Sequence, residues 1–225
     1  MTIHDHEPDV GIDIEEVAVG PVECVAEASL PTRLGTFRIA AFQVGKPATE
    51  IVSLQYGEAN GDVPLVRLHS ECLTGDALGS LRCDCGEQLE ASLQLIVETG
   101  NGVLLYLRQE GRGIGLVNKI RAYALQDGGL DTVDANIALG LPVDGRDYSA
   151  AAAVLRSLRL RKVRLLTNNP AKCEALQLRG IEVSERVPLV VPPNSVNSGY
   201  LQTKADRMGH LFTEIDPIEQ AEPET

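Results

Sequence analysis

The sequence predicts a single α/β domain of mixed α+β character, and three observations favour this fold class. Segments with the apolar pattern of strands lie between segments with helical periodicity. The body of the chain has no internal repeat and no low-complexity linker that would divide it. A chain of 225 residues with 44% hydrophobic and 23% charged content also suits a soluble globular protein with a sizeable core.

Strands are predicted where short apolar runs are bounded by turn residues. The four segments with this pattern are residues 35–42 (GTFRIAAF), 63–68 (VPLVRL), 102–108 (GVLLYLR) and 162–167 (KVRLLT). Segments of helical periodicity separate them along the chain. This order predicts a mixed fold.

Helices are predicted from apolar residues that recur at helical spacing between clear end signals. One helix ends near Gly100, a second ends at residues 128–129, and a third begins at Asn169 and Pro170 and ends near Gly180. The apolar residues that share one face are Leu89, Leu93, Ile96 and Val97 in the first helix, and Ile114, Val117, Ile120 and Ala124 in the second.

The net charge of −12 is concentrated at the two ends of the chain. Residues 1–32 carry eight acids and residues 213–225 carry five, without any Lys or Arg in either segment. The remaining 19 of the 32 acids face all 20 basic residues, so the body is nearly neutral. We therefore expect a flexible acidic extension over residues 1–29, a globular domain over residues 30–212 and an acidic tail over residues 213–225.

Several classes of partner are not expected. No apolar run reaches the roughly 20 residues that a membrane span requires, and the first residues lack the pattern of a secretory signal. The chain is therefore expected to be cytoplasmic. Without a basic stripe or any Trp, and with only three Phe to stack on bases, it is not expected to bind nucleic acid.

Three of the five cysteines lie close together, with the spacing C-x10-C-x-C. Because cytoplasmic thiols stay reduced, Cys72, Cys83 and Cys85 favour metal binding or catalysis over disulfides. Three thiolates that leave the fourth zinc position to water are typical of a catalytic site, where the metal activates that water. His69 is an alternative ligand by its position, and three buried thiols without a metal are the alternative for the whole cluster.

A second candidate site is the glycine-rich turn within residues 108–123 (RQEGRGIGLVNKIRAY), which joins a predicted strand to a helix. Exposed amides at a helix start favour phosphate, although Leu116 stands where a dinucleotide-binding motif requires its last Gly. Arg67, Arg112 and Lys172 would together suit a polyphosphate, and ordinary surface charge is the alternative for each. The other two basic residues of this helix are expected to be solvated, namely Lys119 and Arg121.

Residues 67–90, 107–136 and 163–172 closely resemble the type II GTP cyclohydrolases, the zinc enzymes that open riboflavin biosynthesis. The resemblance extends from about Leu30 to the MGHLF motif at 208–212, or some four fifths of the chain. Bifunctional relatives carry a dihydroxybutanone phosphate synthase domain before this region. The short segment ahead of the match predicts a monofunctional form, and the resemblance implies a homodimer.

The resemblance implies roles for the positions that match the family's motifs. Cys72, Cys83 and Cys85 are implied as ligands of one catalytic Zn²⁺, in agreement with their spacing. Tyr123 is implied as a catalytic-site residue, Asp144 as the proton acceptor and Arg146 as the nucleophile. The implied GTP-binding residues are Arg67, Leu68, His69, Ser70, Glu71, Gln88, Glu110, Gly111, Arg112, Thr132, Thr167 and Lys172.

The implied reaction has two parts. Arg146 attacks the α-phosphate of GTP and releases pyrophosphate, and Asp144 must position or deprotonate its guanidinium, which is a poor nucleophile when protonated. Mg²⁺ is expected with the phosphates. Zinc then supports two hydrolyses that remove C8 of guanine as formate, and Tyr123 favours completion of both. Gln88 or Glu110 is expected to accept hydrogen bonds from the guanine edge.

The sequence departs from the family pattern in three places, and two other functions are alternatives. Residues 46–66 fit the family loosely, Leu68 stands where many relatives have Val, and Gly145 stands where an acid is common, beside the implied nucleophile. One alternative is a diverged cyclohydrolase of specialised metabolism that releases a formylated or other intermediate. The other is a non-catalytic nucleotide-binding regulator, which would be expected to have lost Arg146, Asp144 or one cysteine.

Overall fold

The computed structural model of the chain describes residues 19–58, 62–192, 194 and 196–197. Its strands are β1 (Val22–Thr32), β2 (Gly35–Val44), β3 (Thr49–Tyr56), β4 (Leu65–Ser70), β5 (Gly102–Leu107), β6 (Lys162–Leu166) and β7 (Glu182–Val187). Its helices are α1 (Leu73–Asp76), α2 (Cys85–Thr99), α3 (Leu116–Asp127), α4 (Thr132–Ala138), α5 (Ser149–Ser157) and α6 (Pro170–Gln177), with a 3-10 helix at Glu110–Gly113. Within these described ranges, none of the helices has both the length and the apolar character that crossing a membrane requires.

One mixed sheet forms the framework of the described residues, with its seven strands in the order β1-β2-β3-β5-β4-β6-β7. The first half is antiparallel, since β1 pairs with β2, β2 with β3, and β3 with β5. The second half is parallel, since β4 lies between β5 and β6, and β7 continues the sheet beside β6. The predicted mixed α/β fold class is therefore confirmed.

Two apolar clusters pack against the sheet, because successive side chains of a strand point to opposite faces. On β4, Val66 belongs to the cluster that α5 covers, whereas Leu65 belongs to the cluster that includes Ile96 of α2. Strand β5 likewise contributes Leu105 to the first cluster and Leu104 to the second. Both faces of β4 and β5 are buried. The packing on both faces holds these strands in place and so positions the loops that follow them.

The four predicted strands are present as β2, β4, β5 and β6, with ends within two residues of the expected positions. The other three lack a clear apolar pattern. β1 and β7 are the edges of the sheet, and most of their side chains are exposed or only partly buried. In β3 a buried position is occupied by the polar Ser53, which interrupts the alternation that begins at Ile51.

Strand β1 places the start of the sheet earlier than the sequence suggests. Residues 22–29, expected in a flexible extension, pair with β2. The expected boundary between residues 29 and 30 therefore falls inside a strand that is held by backbone hydrogen bonds and buries little apolar surface. Residues 1–18 and 198–225, which include the rest of the extension, the acidic tail and the MGHLF motif, lie outside the described residues.

Two predicted helices each have one terminus where the sequence places it. Helix α2 ends at Gly100, which adopts a left-handed φ of 77°. Asn169 begins α6, because its side chain accepts a hydrogen bond from the Ala171 amide.

Helix α3 forms where a helix is predicted but turns a different face inward. Ile114 precedes the helix, and Val117 and Ile120 are 65% and 53% exposed. Its buried residues are instead Lys119 and Ala122. The apolar face of a helix usually packs against a core, whereas this helix covers a polar cavity and leaves most of its apolar face exposed.

The parallel arrangement brings the functional motifs to one edge of the sheet. Strands β4, β5 and β6 are parallel neighbours, so their carboxyl ends lie side by side. Cys72 follows β4, residues 108–113 follow β5, and residues 167–172 follow β6. Open α/β sheets bind ligands outside these strand ends, and the cavity described next lies there.

Candidate metal centre and active-site cavity

A cavity of about 630 Å³ lies where β4, β5 and β6 end. Of the eighteen predicted site residues, the sixteen that line it are Arg67, His69, Ser70, Glu71, Cys72, Cys83, Cys85, Gln88, Glu110, Gly111, Arg112, Tyr123, Thr132, Arg146, Thr167 and Lys172. The other two contact lining residues: the Leu68 carbonyl accepts a hydrogen bond from Lys172 at 2.8 Å, and Asp144 binds Arg146. The structure thus brings the predicted set together, while the role of each residue stays a prediction.

The three predicted metal ligands form a compact sulfur cluster. The Sγ atoms of Cys72, Cys83 and Cys85 all lie within 4.8 Å of one another, and those of Cys72 and Cys83 are 3.7 Å apart. Tetrahedral zinc with bonds of about 2.3 Å to sulfur would separate two ligand atoms by about 3.8 Å, so the cluster fits this metal. His69 is not part of the cluster and contacts Asp76 instead.

The thiols of the cluster share protons unequally. Hydrogen bonds from Cys83 and Cys85 lower the pKa of Cys72, and Lys119 contributes to the same effect. The hydrogen bond to Cys72 in turn raises the pKa of Cys83 to about 11. Cys72 therefore forms a thiolate more readily than Cys83, which suits binding of a metal cation by this sulfur.

Gly75 allows the sulfur cluster to form, and sequence reasoning did not select it. A Cβ atom at this position would lie 2.8 Å from Cys83 Sγ, 2.9 Å from Cys85 Cβ and 3.3 Å from Cys72 Sγ. Gly86 on α2 lies against the backbone of Gly75. A Cβ atom at position 86 would lie 2.5 Å from the Gly75 carbonyl oxygen. Helices α1 and α2 can thus approach closely only because both positions lack a side chain.

We expect Gly75→Ala to disrupt metal binding, because its methyl group would displace two of the three sulfur ligands. Zinc affinity, measured by competition with a chelator, should fall by at least about tenfold. Gly145→Ala is the matched control for this measurement, since the nearest atom to its added Cβ lies at 3.4 Å and zinc affinity should not change. Wild-type zinc affinity in Gly75→Ala would contradict the geometry described here.

A buried carboxylate, Asp76, organises the loop that carries Cys72. It accepts hydrogen bonds from the Cys72 amide at 3.0 Å and from the Tyr106 hydroxyl at 2.8 Å. His69 Nε2 lies 3.0 Å from the same group, and the His69 ring stacks on Tyr106. Burial lowers the pKa of His69, so its imidazole is neutral at pH 7. Asp76 thereby fixes both a predicted metal ligand and a predicted GTP-binding residue.

Lys119 is buried beside the cysteines, which corrects the expectation that it is solvated. Its Nζ donates to Cys72 Sγ at 3.0 Å and to Glu110 Oε1 at 2.8 Å. Although burial opposes its charge, these hydrogen bonds raise the pKa of Lys119. The second Glu110 oxygen accepts from the Leu73 amide at 2.7 Å, next to Cys72. The ion pair thus contacts both the Cys72 sulfur and the backbone amide of the next residue.

Removal of the Lys119 charge is expected to destabilise the fold. In Lys119→Met the buried Glu110 carboxylate would lose its partner, which should lower the free energy of unfolding by about 3–5 kcal/mol. Urea denaturation in the presence of a chelator measures this loss without a contribution from metal. Arg121→Met removes the same charge from an exposed position of α3 and should cost less than about 0.5 kcal/mol. Equal effects of the two substitutions would show that the pair is unimportant.

The two residues expected to read the guanine edge already hold protein partners. Gln88 accepts a hydrogen bond from Arg67 at 2.6 Å and donates to Asp84, which lies between two of the cysteines. The Glu110 carboxylate accepts from Lys119, from the Leu73 amide and from the next amide in the chain. Both residues therefore support the cavity wall, and the structure does not favour either as the guanine acceptor.

Two of the basic residues expected at the phosphates are buried in the cavity wall. Arg67 and Lys172 are 5% and 6% exposed, so ordinary surface charge does not describe them. Burial lowers the pKa of Arg67 to about 10, which still leaves it charged at pH 7. Arg112 has a left-handed φ of 61° directly after Gly111 with a φ of 62°. A non-glycine residue in this conformation costs about 1–2 kcal/mol, and such strain is often found where a ligand is bound.

Arg146 and Asp144 form a close ion pair at the wall of the cavity. Arg146 Nε donates to both carboxylate oxygens, at 2.9 and 3.1 Å, and its Nη2 also contacts Asp144. Burial alone would raise the pKa of Asp144, but the hydrogen bonds from Arg146 lower it. Gly145 donates its amide hydrogen to the Arg112 carbonyl, and a Cβ atom at position 145 would meet its nearest neighbour at 3.4 Å. A Cβ atom at position 145 would therefore fit without a close contact.

Known proteins match most of this chain in sequence. The family model for GTP cyclohydrolase II matches residues 23–188. A GTP cyclohydrolase-2 of Acinetobacter baumannii (strain SDF) is 55% identical over 198 residues, which cover 87% of this chain and 99% of the relative. A GTP cyclohydrolase-2 of Histophilus somni (strain 2336) is 56% identical over 192 residues, with 85% and 89% covered. The riboflavin biosynthesis protein RibBA of Salinispora tropica is 57% identical over 193 residues, which cover 85% of this chain and 48% of that protein.

Proposed function

Because the chain belongs to the GTP cyclohydrolase II family, we propose that it hydrolyses GTP to a diaminopyrimidinone nucleotide, formate and pyrophosphate with one zinc ion per subunit. Members of this family are hydrolases that act on GTP in riboflavin biosynthesis. The observation that carries the proposal is one cavity that contains both a cluster of three sulfurs and several buried basic residues. A reaction that opens a ring and also releases pyrophosphate needs both parts.

Cys72, Cys83 and Cys85 would hold the zinc ion. Zinc bound by three thiolates supplies an activated water at neutral pH. Lys119 supports this set, because its contact with Cys72 favours the thiolate form of that ligand. Mg²⁺ is proposed to enter with the β- and γ-phosphates of GTP, since this ion commonly binds through substrate phosphates.

Arg146 begins the reaction in this proposal. Its guanidinium nitrogen attacks the α-phosphorus, a P–N bond forms, and the bond from phosphorus to the bridging oxygen breaks as pyrophosphate leaves. Asp144 takes the proton that the guanidinium must lose, which its close hydrogen bonds with Arg146 support. Arg67, Arg112 and Lys172 offset the negative charge that develops on the phosphates. Water later cleaves the P–N bond and leaves a monophosphate.

Tyr123 contributes to removal of the ring carbon. It lines the cavity, and its hydroxyl lies 3.3 Å from Thr74 Oγ1. Burial raises the pKa of Tyr123, so its hydroxyl keeps its proton at pH 7 and can donate a hydrogen bond. We assign it to the formyl oxygen during the second hydrolysis, which makes completion of the reaction depend on this side chain.

Three further features are part of the proposal. The catalytic domain extends from β1 toward residue 212, the enzyme works in the cytoplasm, and two copies form a homodimer. Support for a dimer comes from the exposed apolar side chains of Val117, Ile120 and Ile137 on α3 and α4. Sedimentation equilibrium tests the dimer, and a monomer at micromolar concentration would contradict it.

The direct test is to incubate zinc-loaded protein with GTP and Mg²⁺ and to follow the products by NMR and mass spectrometry. Formate, pyrophosphate and the pyrimidine nucleotide should appear in equal amounts, and a metal-depleted sample should not release formate. Accumulation of a formylated product would instead indicate a diverged cyclohydrolase. Absence of any turnover would indicate a non-catalytic nucleotide-binding protein and would overturn the proposal.

A further inference from the structure

The ring of Tyr123 is held by cations on neighbouring elements. Arg82 Cζ lies 4.9 Å from the ring centroid, and Lys119 Nζ lies 5.7 Å from it. Arg82 is itself fixed by Asp127 at the end of α3. Attraction between these cations and the aromatic face restrains the ring. These cations do not choose the direction of the Tyr123 hydroxyl hydrogen, because the O–H bond can turn about the C–O axis.

Thr74 supplies the contact that orients this hydroxyl. Its Oγ1 lies 3.3 Å from the Tyr123 hydroxyl and 3.7 Å from Cys72 Sγ. Thr74 lies on α1, between Cys72 and Gly75, whereas Tyr123 lies on α3. One small side chain therefore connects the helix that directly follows a predicted zinc ligand to the helix that carries the predicted catalytic tyrosine.

The two contacts of Thr74 differ in strength. The Tyr123 oxygen lies closer to Thr74 Oγ1, at 3.3 Å, than the Cys72 sulfur does, at 3.7 Å. A Cys72 thiolate that binds a metal would also have less charge left to accept a hydrogen bond. Thr74 therefore acts mainly on Tyr123. When the threonine donates to the tyrosine oxygen, the phenolic hydrogen must point away from α1, and it is then available to a molecule in the cavity that Tyr123 lines.

We infer that Thr74 is a positioning residue for the step that removes the formyl group, an inference that rests on the proposed function. In this step water adds to the formyl carbon and the bond from that carbon to nitrogen breaks. The nitrogen takes up a proton, and formate leaves with the oxygen of the water. Thr74 directs the Tyr123 hydrogen bond to the formyl oxygen, so it affects this step and not the release of pyrophosphate.

A pair of substitutions at one position tests this inference. Thr74→Val keeps the shape of the side chain and removes the hydroxyl, whereas Thr74→Ser keeps the hydroxyl and removes the methyl group. The readouts are the molar ratio of formate to pyrophosphate, the amount of formylated intermediate, and the zinc content. We expect the ratio to fall about tenfold in Thr74→Val, which is the effect of about one hydrogen bond. Thr74→Ser should retain the wild-type ratio, and both variants should retain zinc.

Other results of this comparison would overturn either the role of Thr74 or the proposed function. A ratio near one in Thr74→Val overturns the inference, and so does loss of zinc in both variants, which would assign Thr74 to the metal site alone. If Thr74→Val does not fold, Thr74→Ala provides the same comparison. Tyr123→Phe is the reference, and adding Thr74→Val to it should cause no further loss. Failure of the wild-type protein to release formate would reject the proposed function itself, before any variant is compared.

Discussion

Replacement of Cys83 with serine is expected to abolish metal binding and formate release together. Cys83 Sγ lies 3.7 Å from Cys72 Sγ and belongs to a cluster in which all three sulfurs lie within 4.8 Å of one another. A serine hydroxyl stays protonated at pH 7 and is a poor zinc ligand, so only two thiolates would remain. Zinc content should fall below about one tenth of an equivalent, and formate release by at least about a thousandfold.

The control for this substitution is Cys173→Ser. Cys173 is a free, partly buried cysteine on α6 that does not belong to the sulfur cluster. Its replacement should leave zinc content unchanged. Atomic absorption on desalted protein and an assay for formate provide the two measurements. Full zinc content in Cys83→Ser would show that the three cysteines are only a group of buried thiols, the alternative that the sequence leaves open.

Replacement of Arg146 with methionine is expected to stop the reaction at its first step. Methionine preserves much of the side-chain volume but has no nitrogen that can attack phosphorus. Pyrophosphate release should fall by about three orders of magnitude or more, as for other covalent nucleophiles. Asp144→Asn keeps the shape of the side chain but removes its basicity. This substitution should lower the rate of pyrophosphate release about 10²–10⁴-fold.

Intact-protein mass spectrometry gives a second readout of the same step. The wild-type protein, quenched during turnover, should carry one added guanylyl group, and Arg146→Met should carry none. The matched control is Arg164→Met, which removes an arginine that is ion-paired with Glu185 near the surface of β6 and β7. Pyrophosphate release at the wild-type rate in Arg146→Met would assign the nucleophile to another group.

Sequence reasoning located most of the candidate site because the functional residues lie in short, dense motifs. The cysteine spacing alone indicated an open metal site, and the structure places those three sulfurs together. Arg146 is different, since a lone arginine in a loop has no distinctive pattern. Only the family resemblance indicates its role. Its ion pair is with Asp144, which lies two residues earlier in the sequence.

The supporting residues could not be predicted because their contacts are long-range. Lys119 lies 47 residues from Cys72 in sequence, and Thr74 lies 49 residues from Tyr123. Hydrophobic periodicity locates α3 but does not identify the residues that it buries, because this helix covers a polar cavity and not an apolar core. Gly75 gave no signal either, since its requirement comes from three side chains and not from the conformation of its own backbone.

A metal held by the three cysteines would also act as a crosslink between separate parts of the chain. It would join Cys72, which lies two residues after β4, to the first turn of α2 and close the segment 73–82 into a loop. Helix α1 in that segment has only four residues, far fewer than a helix needs to persist by itself. Depletion of the metal would therefore loosen one wall of the cavity and expose this segment to proteases, as loss of a structural staple does. Inactivity of a metal-free sample would then report a changed binding surface as well as the missing chemistry.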